Sequence, residues 1–158
     1  MEQLDITVPE GFEVLPEGLG FTDNLQPCYI RATEDGVSAG LGVQPHHGNT
    51  MGICHGGVLM TLADIGAASA LNRARGLISG APTVNLSVDF INAARVGEWI
   101  QTESQSITIK RRFGFSSGVI LGNKGIIARY NGTFYLPDHD GIYTEHATHK
   151  TALGDIAT

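Results

Sequence analysis

Two rhythms divide the chain. From Val58 to Leu71 every residue is apolar or small except Asp64, the only ionisable group in the run. A helix apolar on all sides belongs inside a core rather than on a surface. It is preceded by His55-Gly56-Gly57 and fades through Asn72-Arg73-Ala74-Arg75 into Gly76, a basic last turn and a glycine stop that suit a helix C-terminus. Beyond Gly76 the period becomes two: Val84, Leu86, Val88 and Phe90 alternate with Asn85, Ser87, Asp89 and Ile91. Further strands are predicted over Glu98–Lys110, Phe113–Leu121 and Ile126–Leu136, with Asn123-Lys124-Gly125 as a hairpin turn.

Ahead of the helix, Phe21–Arg31 reads as a strand that Pro27 breaks or confines to an edge. Glu34-Asp35-Gly36 turns the chain into a half-buried strand from Val37 to Val43, and Gln44–Ile53 is a loop. Two strands, one buried helix and about four more strands in a meander predict an α+β domain, one antiparallel sheet wrapped around one helix. A single sheet leaves part of such a helix uncovered, which predicts an oligomer. The 158 residues fit one domain, with about 1–20 as a lead-in and 137–158 as a tail outside the core.

Composition narrows the partners. A net charge of −6 argues against nucleic acid, whose phosphates need a basic face. The apolar helix is too short, and too interrupted by Asp64, to be a membrane span, and Met1–Glu10 carries three acids and no basic residue, unlike a signal peptide. Cys28 and Cys54 form no framework spacing, which suggests reduced thiols and a cytoplasmic location.

The chemistry concentrates on the helix. Gly56 and Gly57 leave first-turn N–H groups uncovered by Cβ, where an oxygen can approach the positive end of the dipole. About two turns further in lies one carboxylate, and an unpartnered buried carboxylate costs several kcal/mol unless it is protonated or paired. Both features are expensive in a purely structural helix.

The run Asn49-x-x-Gly52-x-x-His55-Gly56-Gly57, followed by Leu62-Ala63-Asp64, resembles the hot-dog-fold acyl-CoA thioesterases, in particular the phenylacetate-pathway and 4-hydroxybenzoyl-CoA thioesterase branch. The motif spans residues 49–64, and the order of elements extends the likeness over roughly residues 20 to 136. The resemblance implies hydrolysis of an acyl-CoA thioester at a dimer interface, with no cofactor beyond the CoA of the substrate and no metal. It also implies a homodimer or a dimer of dimers, a part for Asn49 in holding the carbonyl or water, and a Ser/Thr near Thr83 that orients the attacking water.

Elementary chemistry points the same way. Thioester hydrolysis needs donors aimed at the developing oxyanion and a base or nucleophile beside the carbonyl carbon. The N–H of Gly56 or Gly57 suits the first role, and Asp64 suits the second if desolvation raises its pKa. Eight residues at 1.5 Å rise separate Gly56 from Asp64 by about 12 Å, too far for one carbonyl to touch both. The donor of one helix must then serve the acid of an antiparallel partner helix.

Each residue also has a plainer reading. Asp64 can be a structural acid, the two glycines a tight turn, His55 a cap, Asn49 an Asx-turn, and Thr83 a structural hydroxyl with Asn85 as its alternative on the same strand face. Lys110-Arg111-Arg112 is the one three-residue basic cluster, a candidate anchor for CoA phosphates or a solvated strand end in which Lys110 and Arg112 share a face. Cys54 beside His55 invites a nucleophile reading, which adjacency in sequence makes unattractive. His139, His146 and His149 read as a polar tail rather than a metal site. Two further functions compete with hydrolysis: a hot-dog hydratase or dehydratase, and a non-catalytic acyl-CoA-binding module.

Overall fold

The computed structural model describes residues 2–76 and 80–138. Its strands are β1 (Glu13–Val14), β2 (Cys28–Thr33), β3 (Gly36–Gly42), β4 (Thr83–Phe90), β5 (Trp99–Lys110), β6 (Phe113–Gly122) and β7 (Gly125–Tyr135), and its one α-helix is α1 (Gly56–Arg75). All seven strands form one antiparallel sheet in the order β1-β2-β3-β5-β6-β7-β4. The sheet wraps α1 in the hot-dog arrangement. Only β5, β6 and β7 form a meander: β4 crosses to the far edge and pairs with β7, while β5 takes the place beside β3. The residues expected to open the first strand instead form a short 3-10 helix, Gly20–Leu25, and β2 begins just after Pro27. Nor does the lead-in stand outside the core, because Leu15 is buried in it.

One face of α1 builds the centre. Leu59, Leu62, Ala63, Gly66, Ala67, Ala70 and Leu71 recur at helical spacing and are buried against the sheet. Gly66 sits directly on Thr102 of β5, where a Cβ has no space, so the helix approaches the sheet closely at this point. Thr102 Oγ1 accepts a hydrogen bond from the Ala39 N–H at 2.9 Å, where β3 and β5 have ceased to pair. Gly76 ends the helix at φ 65°, a left-handed turn that glycine adopts without strain.

The opposite face of α1 is less covered than an all-round apolar helix predicts. Met60 is 37% exposed, and His55 and Gly57 are exposed. The neighbouring edge strand β4 is similarly open: Val84, Phe90 and the following Ile91 are 58%, 52% and 49% exposed. Among the described residues, no helix is long and apolar enough to cross a membrane.

Candidate active site

The loop leading into α1 is held by its own backbone. The His55 N–H donates to the His47 carbonyl at 2.9 Å, Gly48 and Cys54 form a β-bridge, and the Asn49 N–H donates to the Ile53 carbonyl at 2.8 Å. Asn49 Oδ1 accepts from the Met51 N–H at 2.9 Å, the Asx-turn geometry, which leaves its side-chain NH2 free to donate elsewhere.

His55 is the N-cap of α1, and its Nδ1 accepts from the Gly57 N–H at 2.9 Å. The neutral ring therefore carries its proton on Nε2. This cap separates the two glycines. The Gly57 N–H is occupied, whereas the Gly56 N–H has no hydrogen-bond partner among the described residues. Gly56 faces the ring of Phe90, 3.2 Å from where its Cβ would stand.

Asp64 is half-buried on α1, and Thr83 Oγ1 donates to its Oδ1 at 2.6 Å. Burial raises the Asp64 pKa, and the Thr83 hydrogen bond opposes that rise in part. Thr83, the first residue of β4, thus lies against Asp64. Asn85 does not share its face. The β4–β7 register shifts between Thr83 and Asn85, pairing Thr83 with the inward Phe134 but Asn85 with Thr133. Val84 is the extra residue of a β-bulge, and it reverses which positions face the helix.

A cavity of about 800 Å³ opens beside Asp64. It follows α1 through Ile65, Ala68 and Ser69 to Asn72, and its other wall includes Leu15 and Leu19 from the lead-in and Ala81 ahead of β4. This volume lies within the usual range for small-molecule sites. Asn72 Oδ1 is buried without a partner among the described residues, and such an orphaned acceptor costs about 1–3 kcal/mol. Sequence reasoning missed this pocket because two separate segments complete its wall. The spacing of Asp64, Ala68 and Asn72 along one helix face was its one legible sign.

The basic cluster is rearranged. β5 ends at Lys110 and β6 begins at Phe113, so Arg111 and Arg112 form the turn between them rather than continuing a strand. Arg111 adopts φ 57°. Arg112 is committed to Asp138 at 2.6 Å and to the Tyr135 hydroxyl at 3.2 Å. Lys110, Arg111 and Arg112 nevertheless border one surface depression with Phe113 and Phe115. The turn lies toward the C-terminal end of α1, where Leu71 covers the neighbouring Gly114.

Cys28 and Cys54 are free, buried thiols, each pushed up to about 12 by burial. Cys54 is then a thiol, not a thiolate, at neutral pH, and makes a poor nucleophile. The tail histidines His139, His146 and His149 lie outside the described residues. Among those described, no group of His, Cys, Asp and Glu is placed to hold a metal.

His47 supports the loop from below. It is fully buried, its Nδ1 accepts from the Gln44 N–H at 2.9 Å, and burial followed by the adjacent His46 pushes its pKa from 6.5 to about 4. The unfolded chain takes up this proton near pH 6.5, the folded chain only near 4. The stabilisation is therefore complete above pH 6.5 and is lost as pH falls through about 4. The unfolding free energy from urea titrations should drop across this window, by roughly 3 kcal/mol at most from this group. In His47→Asn, which keeps an acceptor for Gln44, the decline should be shallower; an unchanged profile would assign it to other groups.

A thioesterase superfamily model matches residues 51–120 of the chain. A Pseudomonas aeruginosa protein named "Putative esterase PA0474" is 32% identical over 133 residues, which cover 84% of this chain and 99% of that protein. Zebra fish thioesterase superfamily member 2 superposes with a TM-score of 0.68 at 26% identity, covering 77% of this chain and 89% of that one. A hypothetical thioesterase from Streptococcus pneumoniae, solved with coenzyme A, gives 0.59 at 17% identity over 85% of this chain and 95% of that one, a likeness of fold.

Proposed function

Because the chain belongs to the thioesterase superfamily, we propose that it hydrolyses an acyl-CoA thioester to the free acid and CoA, in the manner of the phenylacetate-pathway and 4-hydroxybenzoyl-CoA thioesterase branch. The observation that carries this reading is Asp64: a desolvated carboxylate with one hydroxyl partner, at the mouth of a mainly apolar cavity. Ionised Asp64 either deprotonates a water that attacks the thioester carbonyl or attacks it directly. Thr83 donates to Oδ1, which leaves Oδ2 for the water or the carbonyl carbon. The oxyanion is met by the unpaired Gly56 N–H, with the Asn49 side-chain NH2 as a second donor. In the base route the C–S bond then breaks and the CoA thiolate takes the proton that Asp64 accepted from water. In the nucleophile route C–S cleavage leaves an anhydride on Asp64, which a water hydrolyses to the free acid, its proton going to the CoA thiolate.

Gly56 and Asp64 of one chain lie about 12 Å apart along α1, so the working site joins Gly56 of one protomer to Asp64 of its partner. The uncovered face of α1 and the open edge of β4 support a two-fold dimer, and a dimer of dimers is compatible with the exposed β5–β6 end. The buried free thiols suit a reducing, cytoplasmic setting. The hydratase reading has less support, because His55 Nδ1 is engaged in capping α1.

A panel of acyl-CoAs assayed by release of free thiol tests the reaction. Hydrolysis of at least one class, well above the uncatalysed rate, is expected. No release from any member would reject it.

The turn at Lys110, Arg111 and Arg112 is our candidate for the CoA phosphates. Arg112 is engaged by Asp138, so Lys110 and Arg111 are the freer cations. Lys110→Ala with Arg111→Ala should raise KM several-fold for acyl-CoA and leave kcat nearly unchanged, since phosphate contacts act alike in ground and transition states. The effect should shrink with salt and vanish on thioesters of N-acetylcysteamine, which lack phosphate. Equal losses on both substrates would move the phosphates elsewhere.

A further inference from the structure

We propose that Asp23 is a positioning residue for the acyl group: it holds the lead-in loop around Leu19 as the cavity wall facing α1, and so sets how long an acyl chain the site accepts. The inference rests on the thioesterase reading and adds to it the element that selects the substrate. Three observations carry it. First, Leu15, Gly18, Leu19, Gly20, Thr22 and Asp23 all line the cavity that opens beside Asp64, so one short segment supplies the wall across from α1. The lining is mixed. Leu15, Leu19, Ile65, Ala68 and Ala81 offer apolar contact to a chain, and Thr22, Asp23, Ser69 and Asn72 stand among them as polar groups.

Second, the carboxylate of Asp23 is spent within the loop. Its Oδ1 accepts from the Gly18 N–H at 3.1 Å and the Leu19 N–H at 2.9 Å, and its Oδ2 accepts from Gly18 at 3.0 Å. Hydrogen bonds to an ionised acceptor are roughly twice as strong as neutral ones. Third, little else holds this part of the loop. Leu19 lies between two left-handed glycines, Gly18 at φ 90° and Gly20 at φ 68°, and among the described residues neither the Gly18 nor the Leu19 N–H has a backbone partner. The Leu15 end is fastened separately, because Gln26 Nε2 donates to the Leu15 and Pro16 carbonyls at 3.1 and 3.3 Å. Removing Asp23 therefore releases Leu19 and leaves Leu15 in place. A methylene that meets a fitted apolar wall changes selection by roughly tenfold or more, and a wall that moves loses that discrimination.

The test measures kcat and KM on the full chain for straight-chain acyl-CoAs from acetyl to palmitoyl. An acetyl group extends one bond, about 1.5 Å, past the carbonyl carbon and does not depend on a wall further along the cavity. In Asp23→Ala, KM at the chain length the wild type prefers should rise several-fold while kcat stays within about twofold. The fall in kcat/KM on either side of that length should flatten, and values for acetyl-CoA should not move. Asp23→Asn keeps an acceptor for the two N–H groups and should recover most of the lost selectivity. Equal losses on acetyl-CoA and on longer chains in Asp23→Ala would mark a purely structural role and overturn the proposal. An unchanged length profile, or an Asn variant as impaired as the Ala variant, overturns it too. Leu19→Trp tests the wall with the clamp intact, and decides the matter if Asp23→Ala does not fold. The added bulk should shift the preferred length downward, and an unchanged optimum overturns the proposal. Calorimetric binding of S-(2-oxoalkyl)-CoA ketones, which carry a methylene between sulfur and carbonyl and cannot be hydrolysed, separates failure of this inference from failure of the reaction. If Asp23→Ala weakens long ketones and spares short ones, while no thioester is cleaved by the wild type, the wall assignment stands and the thioesterase reading falls. Absence of that length dependence among the ketones overturns the wall assignment whatever the hydrolysis assay shows.

Discussion

Asp64→Asn should lower kcat by at least about a hundredfold, the usual loss when a general base or nucleophile is removed. The wild-type rate should rise with pH along a limb lying above the ordinary carboxylate range, because burial raises the Asp64 pKa and only the ionised form is reactive. In the variant the limb disappears along with the rate. Stability should move the other way. A carboxyl whose folded pKa is raised contributes stability that is fully present below its unfolded value of 3.8 and is lost as pH rises through the folded pKa. At neutral pH the wild type therefore bears the cost of ionising Asp64, and the Asn variant, still able to meet the Thr83 hydroxyl, should unfold at a higher temperature. Near-normal turnover in Asp64→Asn would remove the residue from the mechanism. Retained acyl-CoA affinity without any wild-type turnover would identify a binding module instead.

The second large effect concerns Gly56. Proline there deletes the one first-turn N–H that is unpaired, at a position where helices tolerate proline. The residue before a proline must be extended, and His55 already is, at φ −64° and ψ 138°. The ring of Phe90 is close, but Phe90 is 52% exposed and has room to turn aside. Gly56→Pro should therefore fold and lose about a hundredfold in kcat, as expected for an oxyanion donor. Refolded together, Gly56→Pro and Asp64→Asn chains should recover activity, because one of the two sites in a mixed dimer combines an intact Gly56 with an intact Asp64. Heterodimers that form on sizing yet stay as inactive as either parent would overturn the shared site.

Much of this was legible in the residues. The helix from its capping loop to Gly76 and the strands after it followed from periodicity within a residue or so of where they stand. Asp64 and Gly56 emerged from the same run, because a lone acid and paired glycines are costly enough in an apolar helix to be visible, whereas Thr83 came only from the family resemblance. What alternation cannot encode is which strands become neighbours. Nothing local to β4 says that it pairs with β7 rather than β5, since that choice depends on the whole sheet closing around α1. The lead-in misled for a related reason. Its Pro- and Gly-rich composition reads as loop, yet a loop can still bury Leu15 and wall a pocket. The split between Gly56 and Gly57 was invisible too, because it depends on the rotamer of His55.

The bulge at Val84 has a consequence for comparing this chain with its relatives. Here the hydroxyl that meets Asp64 stands three positions ahead of Leu86, the next inward side chain of β4, because Val84 is spare in the register. In a relative whose strand runs without the extra residue, the same inward geometry requires the hydroxyl two positions ahead. An alignment drawn without a gap would set Thr83 opposite an outward residue and the relative's true hydroxyl opposite Val84. The acid would then seem to have lost its partner in one protein or the other, although both sheets present an oxygen at the same point in space.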